Sequence, residues 1–120
     1  KKAVFMIMVE KVRATDHLPE IIAAAKKWGV DMVQWGPTDH SLSAGVDQDS
    51  TETQETEANV HAACKDAGII SRIEADSVVA AAPYFDQGFE HFCVGYDRMD
   101  LKAIMSQRGA AFRAQLTPHE

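Results

Sequence analysis

Short apolar runs alternate with helix-like stretches four times along this chain, and this order constrains the fold more than any other feature. The runs are AVFMIMVE, DMVQW, IISRIEA and HFCVG, at residues 3–10, 31–35, 69–75 and 91–95. The first is continuously apolar, which is typical of a strand buried on both faces. Four consecutive strand–helix units predict an α/β fold whose parallel strands are joined by right-handed crossovers.

Helices are predicted between and after these strands, at residues 14–29, 51–68, 77–88 and 99–116. Thr15 or Asp16 can cap the first helix, and Gly29 ends it. Ser50 or Thr51 can cap the second helix, which has acidic residues in its first turn.

The remaining predicted segments are less regular. Residues 36–50 are predicted to form a turn and a loop, and Pro83 should kink or delay the third helix. The last helix is amphipathic. Its apolar face is predicted to point inward and consists of Leu101, Ile104, Met105, Phe112 and Leu116.

Four strand–helix units fit two architectures: a small open doubly wound sheet, or the carboxyl-terminal half of a TIM (β/α)8 barrel. The chain begins KKAVFMIMVE, with no initiator Met and almost no lead-in to its first strand. We therefore expect a fragment or one product of a split chain, with residues 1–120 as a single half-barrel unit. A stand-alone, non-catalytic open-sheet binding module is the alternative.

Charge and composition exclude several classes of partner. The net charge is −6, and no Lys or Arg occurs between Lys27 and Lys65. Nucleic acids and anionic membranes bind basic surfaces, so neither is an expected partner. The longest apolar run, residues 3–9, is too short to span a bilayer. Two isolated cysteines, Cys64 and Cys93, suit a reducing, cytoplasmic compartment.

Acidic side chains follow the first two predicted strands. Glu10 ends the first strand, and Asp39 follows the second within the sequence QWGPTDHS. Because ligands meet the carboxyl ends of parallel strands, these two carboxylates could converge on one hard divalent cation. The plainer alternatives are a salt bridge from Glu10 to Lys11 or Arg13, and a turn or helix cap at Asp39.

A set of ordered motifs resembles the HpcH/HpaI-type class II pyruvate aldolases of the citrate lyase beta-like group. The motifs are Val9-Glu10-Lys11, Leu18-Pro19-Glu20-Ile21, Gly29-Val30-Asp31, Gly36-Pro37-Thr38-Asp39-His40-Ser41 and the run Gly88 to Asp97 with its GFEHFCVGYD sequence. They span nearly the whole chain and match only the carboxyl-terminal half of the family's barrel.

The resemblance implies that Glu10 and Asp39 bind a divalent metal, Mg²⁺, Mn²⁺ or Co²⁺. The metal would chelate pyruvate or another 2-oxo acid and stabilise the enolate formed when the bond to an aldehyde breaks or forms. The implied substrate-binding residues are Gly36, Pro37, Thr38, Asp39 and Glu74. Backbone N–H groups near Thr38 and Asp39 would hold the substrate carboxylate.

The same resemblance implies that no catalytic residue lies within this chain. The base and the enolate-stabilising arginine belong to the amino-terminal half, so the chain is expected to be inactive without that half. Intact enzymes of the family are oligomers, as hexamers or trimers of dimers, and their last helix packs between subunits. An acyl-CoA lyase of the malyl-CoA or citrate lyase type is the alternative activity.

Other polar residues have plainer roles. His40 stands where the family commonly has Leu, and it is predicted to pack or to lie at the surface. Arg72 and Glu74 are predicted to pair, although the resemblance places Glu74 where it could tune the preference for the aldehyde. Asp97 is predicted to cap the last helix.

Overall fold

The computed structural model describes residues 3–116 and contains four parallel strands with helices between and after them. The strands are β1 (Met6–Val9), β2 (Met32–Trp35), β3 (Ile70–Ala75) and β4 (Phe92–Val94). The helices are α1 (Val12–Asp16), α2 (Leu18–Trp28), α3 (Pro37–Ala44), α4 (Thr51–Ala67), α5 (Val78–Asp86) and α6 (Asp97–Gln115).

The strands form one sheet in the order β1-β2-β3-β4, and every neighbouring pair is parallel. Met8 pairs with Gln34, Gln34 pairs with Arg72, and Glu74 pairs with Cys93. The carboxyl ends of all four strands therefore lie together at one end of the sheet. The predicted α/β fold with four strand–helix units is confirmed.

The hydrophobic core lies on one face of the sheet, between the strands and helices α2 and α4. Its most completely buried members are Val9, Val33, Val60 and Cys64. Burial raises the pKa of the Cys64 thiol, although Ser71 hydrogen bonds partly oppose this. The other face carries Met8, Gln34, Arg72 and Glu74, because side chains alternate along each strand.

Two predicted helical regions differ from the structure. The helix predicted over residues 14–29 is two helices, α1 and α2, and neither Thr15 nor Asp16 caps α2, since His17 is its N-cap residue. The turn and loop predicted over residues 36–50 contain α3. Gly36 and Pro37 look like turn residues, but Pro fits the first turn of a helix.

Two predicted helix ends agree with the structure. Gly29 ends α2 in the left-handed conformation, and the Ser50 hydroxyl caps α4 by accepting a hydrogen bond from the Thr53 N–H. Pro83 lies inside α5 without ending it. Because proline has no N–H, Pro83 removes one hydrogen bond from the interior of this helix.

The prediction that one face of the last helix points inward is wrong, because α6 contains no buried residue. The five residues of that face are all exposed: Leu101, Ile104, Met105, Phe112 and Leu116. The molecule measures 70 Å along its longest axis. Within residues 3–116, no helix is both long and apolar enough to cross a bilayer.

Candidate active site at the carboxyl ends of the strands

Glu10 and Gly36 meet where strands β1 and β2 end. The ladder between the strands continues one step, since the Gly36 N–H donates a 3.0 Å hydrogen bond to the Val9 carbonyl. A Cβ added to Gly36 would lie 2.8 Å from Glu10 Cβ and 3.2 Å from Glu10 Oε2. Because glycine has no Cβ, Gly36 lets the Glu10 side chain lie across the end of β2.

Asp39 lies in the first turn of α3, which begins directly after Gly36. Its Oδ1 accepts a 3.2 Å hydrogen bond from the Lys11 ammonium, and both side chains are about half exposed (52% for Lys11 and 53% for Asp39). Lys11, one of the two salt-bridge partners considered for Glu10, therefore pairs with Asp39. The structure brings both predicted metal ligands to the same end of β1 and β2.

The first turn of α3 also presents backbone donors. The first intrahelical hydrogen bond runs from the His40 N–H to the Gly36 carbonyl, at 3.0 Å. The N–H groups of Thr38 and Asp39 precede it, and N–H groups in a first helical turn have no partner within their own helix. N–H groups at a helix start can bind an anion, so the substrate-carboxylate role expected for them stays a prediction.

The donor chemistry of Glu10 and Asp39 fits a hard divalent cation. Both offer carboxylate oxygens, the ligand type that Mg²⁺ and Mn²⁺ prefer. Among residues 3–116, no three His, Cys, Asp or Glu side chains are grouped to hold a metal. Two protein ligands leave the other coordination positions for water and substrate.

A chain of hydrogen bonds crosses the open face of the sheet next to this site. Arg72 donates to Gln34 Oε1, Gln34 Nε2 donates to Glu74 Oε1, and the Tyr96 hydroxyl donates to Glu74 Oε2. Gln34 is only 2% exposed. The hydrogen bond to the Glu74 carboxylate is the main reason that the pKa of Tyr96 rises to about 12. The predicted Arg72–Glu74 pair is replaced by contacts through Gln34.

A second polar cluster lies between α4, β3 and α5. Glu57 Oε1 accepts a 2.7 Å hydrogen bond from the Tyr84 hydroxyl and lies 3.3 Å from His61 Nε2. Burial alone would raise the pKa of Glu57, but the hydrogen bonds with His61 and Tyr84 outweigh it and the pKa is lowered. Burial and the Glu57 contact raise the pKa of Tyr84.

This cluster borders a cleft of about 440 Å³, which also reaches the ends of β2 and β3. Trp35, Pro37, Arg72, Glu74 and Tyr84 are among the residues that line it. The cleft therefore connects the second cluster with the neighbourhood of the candidate metal ligands.

Two predictions about nearby residues have clear outcomes. His40 is a packing residue, 2% exposed, with its ring centroid 4.7 Å from that of Trp35. Asp97 does not occupy the N-cap position of α6, which Tyr96 takes, although Asp97 Oδ1 accepts a 2.6 Å hydrogen bond from the Arg98 N–H. A capping carboxylate binds N–H groups two or three residues further on, and Asp97 is one residue too late.

Sequence reasoning missed Gln34 and Tyr96 as partners of Glu74. One signal was present for Gln34, since it is the only polar residue in the strand sequence MVQW. A polar residue there indicates a strand face that is not packed in the core. Tyr96 had no comparable signal, because its contact depends on how β3 and β4 pair.

Comparisons with known proteins agree with the fold. A family model described as HpcH/HpaI aldolase/citrate lyase matches residues 1–103. A solved HpcH/HpaI aldolase/citrate lyase family protein from Burkholderia cenocepacia J2315 is 28% identical, with a TM-score of 0.78. That similarity covers 93% of this chain and 43% of the other. No curated protein matches the chain significantly.

Two less similar structures share the fold. The citrate synthase SbnG is 19% identical with a TM-score of 0.82, over 93% of this chain and 45% of its own. Macrophomate synthase is 20% identical with a TM-score of 0.78, over 94% of this chain and 39% of its own. The chain therefore spans less than half the length of these solved structures.

The family comparison extends over most of the chain, and the four-stranded parallel sheet matches a fragment of the family's TIM-barrel-like fold. Members of this family are lyases or aldolases and generally depend on a divalent metal. The chain belongs to the HpcH/HpaI aldolase/citrate lyase family.

Proposed function

We propose that this chain is the carboxyl-terminal half of a metal-dependent aldolase barrel that cleaves or forms 4-hydroxy-2-oxo acids through the enolate of pyruvate. The observation that carries the proposal is the position of Glu10 across Gly36, beside the helix turn that contains Asp39. In this proposal, residues 1–120 supply both metal ligands, and a complementary amino-terminal half supplies the base and the arginine.

Each residue of the site has a distinct task in this reaction. Glu10 and Asp39 hold the divalent ion, Mg²⁺, Mn²⁺ or Co²⁺, which supplies Lewis-acid stabilisation of negative charge when bound. The N–H groups of Thr38 and Asp39 orient the substrate carboxylate, and Gly36 and Pro37 start the helix that presents them. Glu74 faces the part of the substrate that becomes the aldehyde.

In the proposed cleavage, the 4-hydroxyl of the substrate loses a proton, the bond between C3 and C4 breaks, and an aldehyde leaves. The electron pair of that bond forms the enolate of pyruvate, which takes up a proton at C3. The proton acceptor and donor are expected in the amino-terminal half, so the isolated chain is proposed to be inactive.

The central test replaces Glu10 and Asp39 separately by Ala in the barrel completed with an amino-terminal half. Calorimetric titration with Mn²⁺ is expected to show at least about a tenfold loss of affinity in each variant, since each removes one of two carboxylate ligands. Exchange of the pyruvate methyl hydrogens with deuterium should fall in parallel. The exposed Glu20→Ala change on α2 is the matched control.

Retained Mn²⁺ affinity in both variants would remove the basis for the site assignment. Aldolase turnover by the isolated chain would contradict the proposal that the amino-terminal half supplies the base and the arginine.

A lyase acting on acyl-CoA thioesters, of the malyl-CoA or citrate lyase type, is the second candidate, because the family description joins aldolases with citrate lyases. The sequence Gly36-Pro37-Thr38-Asp39 favours free 2-oxo acids. Parallel cleavage assays with 4-hydroxy-2-oxo acids and with CoA thioesters distinguish the two activities.

A further inference from the structure

A serine, a histidine and a glutamate form a hydrogen-bonded line on the helix side of the sheet. His61 of α4 lies between the other two. Its Nδ1 is 3.2 Å from Ser71 Oγ on β3, and its Nε2 is 3.3 Å from Glu57 Oε1. A hydroxyl at one imidazole nitrogen and a carboxylate at the other is the arrangement that activates a serine for nucleophilic attack. The candidate metal site uses none of these residues.

The positions of the protons follow from Glu57. Its pKa is lowered, so the carboxylate is ionised at neutral pH and only accepts hydrogen bonds. A neutral His61 therefore carries its proton on Nε2, which donates to Glu57, and Nδ1 is left as an acceptor. The Ser71 hydroxyl is then the donor of the 3.2 Å contact. Its proton already lies on the line to a base.

Neighbouring side chains hold the imidazole in this orientation. The Tyr84 hydroxyl donates a 2.7 Å hydrogen bond to the same Glu57 oxygen and fixes the carboxylate. The Phe89 ring meets His61 edge to face, with 5.0 Å between the ring centroids. The His61 side chain is only 10% exposed. Because α4, α5 and the segment before β4 all contribute, the fold sets this geometry before any substrate binds.

The serine and the histidine border a cavity of about 660 Å³ between α4, the start of β3 and residues 87–91. Cavities of this size hold small organic molecules. Ala58, Ile70 and Phe89 give part of the lining an apolar character. Lys65 lines the same cavity and offers a positive charge to a developing oxyanion. The lining therefore suits a small apolar ester.

This site is separate from the candidate metal ligands. Ser71 and Arg72 are consecutive on β3, so their side chains point to opposite faces, and Arg72 lies on the open face. Ser71 is also near the amino end of its strand, whereas Glu10 and Asp39 follow the carboxyl ends of β1 and β2. Chemistry at Ser71 therefore does not depend on a metal bound at the other site.

We propose that Ser71 is the nucleophile of a second active site, which hydrolyses small apolar carboxylic esters. His61 is its general base, and Glu57 is a positioning residue that acts through His61. Ser71 Oγ attacks the ester carbonyl carbon, and its proton passes to His61 Nδ1. The bond from that carbon to the alkoxy oxygen breaks, and the alcohol leaves with the proton from His61. Water then adds to the acyl carbon with help from the same nitrogen, which releases the carboxylic acid and restores the Ser71 hydroxyl.

Covalent labelling tests the nucleophile in the completed barrel, with EDTA present to remove divalent metal. A fluorophosphonate bonds its phosphorus to an activated serine oxygen with loss of fluoride, and peptide mass spectrometry identifies the serine. We expect label on Ser71. Labelling should be at least about tenfold slower in His61→Gln, because an amide can keep the hydrogen bonds but is not a base. Ser106→Ala, at an exposed position of α6, is the control and should label at the unmodified rate.

Hydrolysis of p-nitrophenyl acetate by the same proteins measures turnover. Ser71→Ala should lower kcat by at least about a hundredfold, because the nucleophile is removed. Glu57→Gln should lower kcat at least about tenfold while KM stays within about twofold, since the carboxylate orients His61 and does not touch the ester. Circular dichroism and urea denaturation establish that each variant is folded.

Absence of label on Ser71 in the folded, unmodified protein would overturn the inference. Ester hydrolysis that survives in Ser71→Ala would also overturn it, since another group would then attack the ester. Equal kcat values for Glu57→Gln and the unmodified protein would contradict the positioning role. The proposed aldolase function is measured with metal and pyruvate, so it stands or falls independently of these results.

Discussion

No room remains for a side chain at Gly36, because an added Cβ would lie 2.8 Å from Glu10 Cβ and 3.2 Å from Met8 Cε. The Gly36→Ala change is expected to lower the free energy of unfolding by about 1–3 kcal/mol, the usual cost of overpacking. It should also weaken Mn²⁺ binding, since Glu10 must move. Urea denaturation and calorimetry measure the two effects.

Gly109 provides the matched control for this substitution. It lies within α6, and a Cβ there would meet nothing closer than Arg113 Nη1, at 3.5 Å. Replacing a glycine inside a helix by Ala usually stabilises it by about 0.5–1 kcal/mol. A similar loss of stability in both variants would show that the contact with Glu10 is not the cause.

Lys11 would compete with the proposed metal ion for Asp39. Its ammonium lies 3.2 Å from Asp39 Oδ1, and both side chains are about half exposed. Exposed ion pairs are weak, so the Lys11→Met change is expected to tighten Mn²⁺ binding by only about two- to fivefold. Calorimetric titration at low ionic strength checks this, with Lys26→Met on α2 as the control. Unchanged or weaker affinity would contradict it.

Residues whose position follows from strand order alone were predictable. Glu10 and Asp39 follow two strands that are consecutive in the sequence, and parallel connection brings their ends together. The Glu74 contacts were not predictable, because Gln34 and Tyr96 meet it only through the register of β2, β3 and β4. A shift of one residue would turn these side chains to the opposite face.

Helices α4 and α5 are linked by the Glu57–Tyr84 hydrogen bond, whose contribution to stability depends on pH. The folded protein holds the pKa of Glu57 below its ordinary value of 4.5. A carboxyl group with a lowered pKa stabilises the fold above its unfolded pKa and loses that effect as the pH falls through the folded value. The destabilisation caused by Glu57→Gln should therefore be largest above about pH 5.

Urea denaturation of both proteins between pH 7 and pH 3 measures this difference. The difference in free energy of unfolding between the unmodified protein and Glu57→Gln should become steadily smaller below about pH 4.5. In that range the Glu57 carboxyl of the unmodified protein takes up a proton. Glu55→Gln is a suitable control, since Glu55 lies on the same helix and is exposed. A gap that stays constant or widens in acid would rule out the ionised contact.

Helix ends were predictable where one residue type dominates the local geometry. Gly29 and Gly68 take the left-handed conformation that ends α2 and α4. The start of α3 was misread because Gly-Pro is common both in turns and at helix starts. The residues after Gly-Pro must distinguish a turn from a helix start. Residues 37–44 do not do so, because they show little amphipathic helical pattern.

The whole molecule is more extended than a compact protein of the same length. Its radius of gyration is 19.0 Å, whereas a compact chain of this length has about 14 Å. Strands β1 and β4 are the edges of the sheet, and α6 exposes its apolar face to solvent. The sequence correctly marked that face as apolar. Amphipathicity predicts that a face is buried by something, but it does not say whether the covering surface belongs to the same chain.

Exposed apolar surface of this extent favours association, so the isolated chain is expected to sediment as dimers or larger species. Ile104 and Phe112 lie on the exposed face of α6, and replacing both by Glu should shift the distribution toward monomer by at least about tenfold in the apparent dissociation constant. Two buried charges at an interface are costly, which gives the size of the effect.

Ala103→Glu combined with Ala110→Glu adds the same charge to exposed positions on the opposite face of α6, and it separates surface burial from simple charge repulsion. Circular dichroism should show unchanged helix content in both double variants. If the two variants dissociate equally, net charge and not the apolar face controls association. If neither dissociates, the open edges at β1 and β4 hold the copies together, because unpaired backbone groups on an edge strand bind another strand without help from α6.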